Sequence, residues 1–273
     1  MPEIRYTALP ELRHPERFLA AAAQDFRAAF LIAWHMQLGH IRARHRSSRL
    51  ASLWHLVPTV ATTLACIHLR SLNVVTASPT ELPYPVFVLA GVILWQVFLD
   101  ALNAPLQHLS TARQMITRST IPHEAIMVAG LLDVLMNCAL RWLILAGALI
   151  AFGVPVAPTA LLIPLGIGSL VLMGFTLGLL ATPFGLLYED IERGISAIAM
   201  LWFFLTPVAY VAPKDSVLAF NPLTPLIQTS RAWLLGPSPM GDLAAVTVGN
   251  LVFLVLAWLL YRLARPHIVA RLG

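Results

Sequence analysis

Apolar residues in this chain gather into long runs separated by short polar or basic stretches. A helix needs about 20 mostly apolar residues to cross roughly 30 Å of hydrocarbon. Six stretches meet that requirement: Ala51–Leu69, Tyr84–Leu106, Ala125–Phe152, Ala160–Leu187, Ile195–Ala212 and Asp242–Ala264. The pattern predicts an all-α integral membrane protein with six transmembrane helices. The third and fourth stretches are long enough to require tilt or extension past the bilayer. Pro58, Pro164, Pro183 and Pro207 mark kinks or ends whose freed backbone groups neighbouring helices must satisfy.

Two further segments have helical character without the length to span. At helical spacing Phe26, Phe30, Ala33, Trp34, Leu38 and Ile41 share one face, while Arg27, His35, His40, Arg42 and Arg44 fall elsewhere. This predicts an amphipathic helix lying in the cytoplasmic interface; a helix packed on a soluble partner has the same spacing. Between the fifth and sixth stretches, Pro213–Gly241 carries Leu218, Phe220, Leu223, Leu226, Ile227, Trp233, Leu234 and Leu235, too apolar for a solvated loop. Two short re-entrant helices broken at Asn221-Pro222 fit it, as does an ordered loop packed on helix ends. The chain therefore divides into a cytoplasmic segment at 1–50, a transmembrane domain at 51–264 and a cytoplasmic tail at 265–273.

Composition strengthens the membrane assignment. Hydrophobic residues make up 58%, charged residues 11%, and mean hydropathy is +0.77, where a soluble domain carries about a quarter charged residues. Net charge is +5, and its placement reads as topology. Eight arginines precede the first apolar run, and with Arg113, Arg118, Arg193, Arg262, Arg265 and Arg271 they fall on one side of a six-span arrangement. Only Arg70, Lys214 and Arg231 fall on the other, so the positive-inside rule puts both ends in the cytoplasm. Nucleic-acid binding would need basic, polar and aromatic groups interleaved on a soluble module, and the sequence has none. Cys66 and Cys138, both in apolar runs, give no disulfide framework.

Catalytic signatures are missing. The single lysine, Lys214, follows Val-Ala-Pro, so no Walker-type phosphate cradle exists. His123-Glu124 begins like a zincin motif, but Met127 stands where its second histidine belongs, and no G-x-S-x-G elbow occurs. No metal site is expected. The intramembrane ionisable residues are Asp100, Asp133 and Arg141, which pair between helices or line a pathway. Aromatics gather at Trp202-Phe203-Phe204 and recur at Trp95, Phe98, Trp142 and Phe175. They can stack on sugar rings in a pore or simply fill a core. Gly174 and Gly178 form a G-x-x-x-G that lets helices approach closely, within one chain or between two.

Several stretches together resemble the ABC-2 type permeases of polysaccharide exporters, over about residues 26–264. They are LYEDIERGISAIAMLWFFLTPVAY at Leu187–Tyr210, NPLTPLIQTSRAWLLG at Asn221–Gly236 and YPVFVLAGVILWQVF at Tyr84–Phe98. Ser47-Ser48 with Leu50, Trp54 and Pro58 echoes the start of that family's first span.

The resemblance implies a permease that pairs with itself and with two copies of a separate ABC ATPase, which would bind Mg-ATP, with no cofactor in this chain. Its cargo would be a lipid-linked glycan (O-antigen, capsular polysaccharide or teichoic acid) crossing the bacterial inner membrane. It also implies contacts with the ATPase at the inner loops, through Arg113, Met115, Arg118, His123 and Glu124 and through the second turn with Glu189, Asp190 and Arg193. The family commonly has Arg-Asp where this chain has Glu189-Asp190, so the charge pattern of that turn departs from it. Trp95, Phe98, Trp202, Phe203 and Phe204 would face the pore, and Phe220 and Trp233 would plug an outer gate. Two alternatives remain: a permease of this type for a drug or small lipid, and an intramembrane enzyme acting on polyprenyl phosphates. The latter would need Asp100, Asp133, Arg141 or a histidine to converge on a phosphate.

Overall fold

The computed structural model describes residues 29–43, 51–72, 82–113, 121–188, 190–211 and 217–272, and among these every regular element is helical. Helix α1 covers residues 29–43. A single turn, Ala51–Trp54, leads to α2, Val57–Ser71. Then come α3, Tyr84–Thr111, and α4, His123–Ala151. The 3-10 turn Pro158–Leu162 opens α5, Ile163–Gly185, which is followed by α6, Asp190–Phe204. A second 3-10 turn, Val217–Phe220, precedes α7, Leu223–Ala232, and α8 runs Gly241–Leu272. Pro58, Pro85 and Pro164 sit within the first two positions of α2, α3 and α5. There a missing N–H breaks no helical bond and the fixed φ suits helix entry.

Among the described residues four helices are long and apolar enough to cross a membrane: Tyr84–Thr111, His123–Ala151, Pro158–Gly185 and Gly241–Ile268. They correspond to the second, third, fourth and sixth expected spans. The other two are shorter than expected. The stretch at 51–69 is interrupted after Trp54, leaving a 15-residue α2. The stretch at 195–212 stops at Phe204, leaving a 15-residue α6, because Pro207 disfavours helical geometry in the residue before it. Fifteen residues rise only about 22 Å, short of the hydrocarbon thickness.

Helix α3 is the centre of the bundle, with 78% of its most apolar window buried, whereas α8 buries only 11% of its own. Around α3 pack α5, α4, α2, α7 and α6, and α8 lies against α5. The seam between α3 and α5 is set by glycine. A Cβ at Gly174 would meet the Phe98 carbonyl and one at Gly178 the Leu102 carbonyl. The G-x-x-x-G therefore serves packing inside the chain, letting two backbones touch. Hydroxyls on α5 and α8 are satisfied locally: Thr176 and Thr182 donate to the Leu172 and Gly178 carbonyls at 2.7 Å each, and Thr247 donates to Ser169 Oγ at 2.9 Å.

Helix α1 turns its small residues Ala29 and Ala33 and its Gln37 inward, and leaves Phe30, Leu31 and Trp34 exposed. Gln37 Nε2 donates to Asp133 Oδ1 on α4 at 3.0 Å. Gln37 therefore faces protein, and the large apolar residues Phe30, Leu31 and Trp34 face outward.

Candidate functional site

Three regions carry the residues singled out from the sequence. The first lies along α3 and α6. Trp95 and Phe98 sit on one side of α3, with ring centroids 5.4 Å apart. Phe203 meets Trp95 edge-on at 5.5 Å, and Trp202 meets Phe98 edge-on at 5.4 Å. Phe204 continues the chain of rings from Phe203 at 5.5 Å. These separations suit the edge-to-face preference of aromatic quadrupoles. Beside the rings is a cavity of about 320 Å³ bounded by α2, α3 and α6, where Trp95, Phe203 and Phe204 meet the polar Thr62, Gln96, Asn103 and Ser196. Trp95 and Phe98 are otherwise core residues, while Phe204 is largely exposed.

The intramembrane ionisable residues find partners within the bundle. Arg141 Nη1 donates to Asp100 Oδ2 at 2.6 Å, joining α4 to α3. Asp133 instead takes the Gln37 bond and lies 4.0 Å from His108 Nε2.

The second region is the end of the bundle where α3 stops, α4 starts, α5 stops and α6 starts. Arg113 Nη2 donates to the Leu186 carbonyl at 3.0 Å, tying the end of α3 to the end of α5. Between them opens a cavity of about 600 Å³ lined by Ser110, Arg113, Gly185, Glu192, Arg193 and Ser196. Asp190 and Arg193 are solvent-facing, 3.6 Å apart, one helical turn along α6. Met115, Arg118 and Glu189 lie outside the described residues. His123 and Glu124 require a correction. Expected as docking residues, both are buried. The Glu124 carboxylate is held by Arg262 at 3.4 Å and faces Arg265 at 3.7 Å, both from α8. His123 Nδ1 lies 2.7 Å from the Tyr261 hydroxyl. A carboxylate engaged inside the chain is not a surface for a partner.

The third region is the segment before α8. Short helical pieces flank Asn221-Pro222, and Leu223, Leu226, Ile227 and Leu234 of this segment are core residues. Trp233, expected as a gate plug, is 0% exposed, its carbonyl accepting a bond from Thr159 at 2.9 Å. It anchors the segment, whereas Phe220 is 88% exposed.

Two residues read from the sequence only as a helix break and as an outer cation hold this segment in place. Asn221 Oδ1 accepts from Trp202 Nε1 at 3.1 Å, and Asn221 Nδ2 donates to Thr206 Oγ1 at 2.9 Å. Arg231 donates to the Val208 carbonyl at 2.9 Å and lies 3.6 Å over the Phe87 ring. Burial pushes the Arg231 pKa down to about 9, which leaves it charged at neutral pH. Gly91 makes room, since a Cβ there would meet both the Val208 carbonyl and Arg231. An asparagine before proline and an arginine amid apolar residues were the available signals. Replacing Asn221 with alanine strands the Trp202 indole N–H, at a cost of about 1–3 kcal/mol, while Thr206 keeps its bond to the Trp202 carbonyl. Thermal denaturation in detergent should register that loss, whereas Phe220→Ala should leave the midpoint unchanged.

No family model matches the chain. Similar proteins of known role are O-antigen export system permease proteins RfbA. That of Myxococcus xanthus is 25% identical over 222 residues, 76% of this chain and 84% of the relative. Two from Klebsiella pneumoniae are 23% and 24% identical, each over 70% of this chain and 75% of the relative. With the all-helical bundle, these likenesses bear out the resemblance carried by the motifs: the chain is similar to the permease proteins of O-antigen export systems.

Proposed function

We propose that this chain is the transmembrane permease subunit of an ATP-driven exporter that moves lipid-linked polysaccharide across the bacterial inner membrane. The observation that carries the reading is the likeness to O-antigen export permeases along most of both chains. The aromatic chain along α3 and α6 supports it, because ring faces beside hydroxyl and amide groups suit the mixed apolar and polar surface of a sugar. In this reading the chain has six membrane passages with both ends inside, α1 lies in the inner interface, and two copies enclose the pore. A separate ATPase, in two copies, docks at the inner cavity between Arg113 and Arg193 and holds the Mg-ATP. Phe220, exposed at the other end, faces the outer mouth.

The test is ATP hydrolysis by this chain co-expressed with the ATPase encoded beside it and reconstituted with and without lipid-linked glycan. A co-purifying complex whose hydrolysis responds to glycan is the expected result. Absence of any complex with a nucleotide-binding chain would remove the proposal. Within a complex, Arg193→Glu inverts an exposed charge at the proposed docking cavity. It should weaken ATPase capture about tenfold, or 1.4 kcal/mol, without lowering accumulation of the permease. Capture equal to wild type would move the docking surface elsewhere.

A further inference from the structure

Buried charge is costly in any fold, and this one places three charged side chains together where α4 begins. Glu124 occupies the first turn of α4, directly after the inner turn that follows α3. Its two oxygens face Arg262 and Arg265 of α8, and all three side chains are largely buried. His123 adds its contact with Tyr261, one residue before Arg262. Breaking such a cluster leaves an uncompensated charge, so its persistence fixes the geometry of what it joins.

The helix it grips is unusual. Helix α8 has 32 residues, about 48 Å at 1.5 Å each, longer than the bilayer requires. Its first turn follows the anchored residues after α7, Trp233 and Leu234, after only residues 235–240. Pro266 lies inside α8 near its far end. Lacking an N–H, it cannot bond the Arg262 carbonyl, so the helix is weakest at the residue that reaches Glu124. A single helix thus links the anchored α7 segment at one end with the start of α4 at the other, and the charge cluster sits at its bendable point.

We propose that Arg262 and Arg265 are positioning residues for energy coupling. Through Glu124 they fasten α8 to the start of α4, so displacement of that helix end is passed along α8 to the segment carrying α7. This rests on the permease reading. It adds a mechanical path from the start of α4 to the other face of the membrane, and it assigns the buried cations a task beyond neutralising Glu124.

The experiment measures ATP hydrolysed per glycan exported by the reconstituted complex. For Arg262→Gln the ratio should rise at least about fivefold, the lower end of ordinary coupling free energies. Arg262→Lys, which keeps the charge, should stay near wild type. Thr247→Val removes a polar contact between α8 and α5 away from the cluster and should leave the ratio unchanged, which separates a joint from general loosening. If Arg262→Gln does not accumulate, Arg265→Gln gives the same comparison against the other carboxylate oxygen. A wild-type ratio in the assembled glutamine variant, or an equal rise in Thr247→Val, overturns the joint while the permease reading stands. A wild-type chain that captures no ATPase overturns both.

Discussion

Replacing Arg141 with leucine should destabilise the folded protein by about 3–5 kcal/mol, because it leaves the Asp100 carboxylate inside the bundle without its cation. The Arg141 side chain is 3% exposed and that of Asp100 24%, so water can solvate the abandoned charge only in part. The 2.6 Å contact joins α3, the central helix, to α4. The loss should appear as a lower denaturation midpoint in detergent and a smaller yield of monodisperse protein. Replacing both residues with leucine removes the buried charge altogether and should recover stability to within about 1 kcal/mol of wild type, as apolar replacements of buried ion pairs often do. Export should recover with it, since each partner already satisfies the other. A double variant that is stable yet exports nothing would instead give the pair a place on the cargo path.

The contrast between this pair and Asp133 shows how far the sequence could be read. Spacing placed Asp100, Asp133 and Arg141 in the second and third apolar runs, and general cost arguments required partners for them. Which carboxylate Arg141 would reach could not be read from one helix. Asp133 and Arg141 share α4, but the choice depends on how α3 lies against it, and that crossing is set by side chains on both helices. The same limit applies to Glu124. It was legible as a polar residue just before the third apolar run, yet its partners lie far along the chain on α8.

Local chemistry was more legible. Pro58 and Pro164, expected as kinks or ends, fall at the starts of α2 and α5, and hydropathy located four membrane-length helices. The break at Asn221-Pro222 was visible, but that Asn221 clasps Trp202 was not, because the bond depends on where α6 ends. That end was placed eight residues too late, at Ala212 rather than Phe204. Apolar residues continue past it, and hydropathy alone cannot distinguish a helix from an apolar segment folded back on the bundle. Trp233 was misread for a related reason: an aromatic in an apolar loop can be a plug or an anchor, and only burial separates them.

The second large effect is expected at the seam of α3 and α5. Gly178→Val puts a branched side chain where the Leu102 carbonyl and the Pro105 ring already stand. Neither can yield, since one is backbone and the other is a ring within α3. Gly174→Val does the same against the Phe98 carbonyl and Ala101. Overpacking ordinarily costs about 1–3 kcal/mol, and more where the obstruction is main chain. Each variant should therefore force α5 away from α3 and undo the close approach that gives a membrane helix pair its dispersion contacts. The double variant should fail to accumulate as a monodisperse species. Gly168→Ala supplies the comparison: it lies on the same helix, and a Cβ there meets nothing within 4 Å. It should match wild type in yield and denaturation midpoint. Were Gly178→Val equally benign, α5 and α3 could not be as close as their glycines allow. The G-x-x-x-G would then be available to a helix of a second chain.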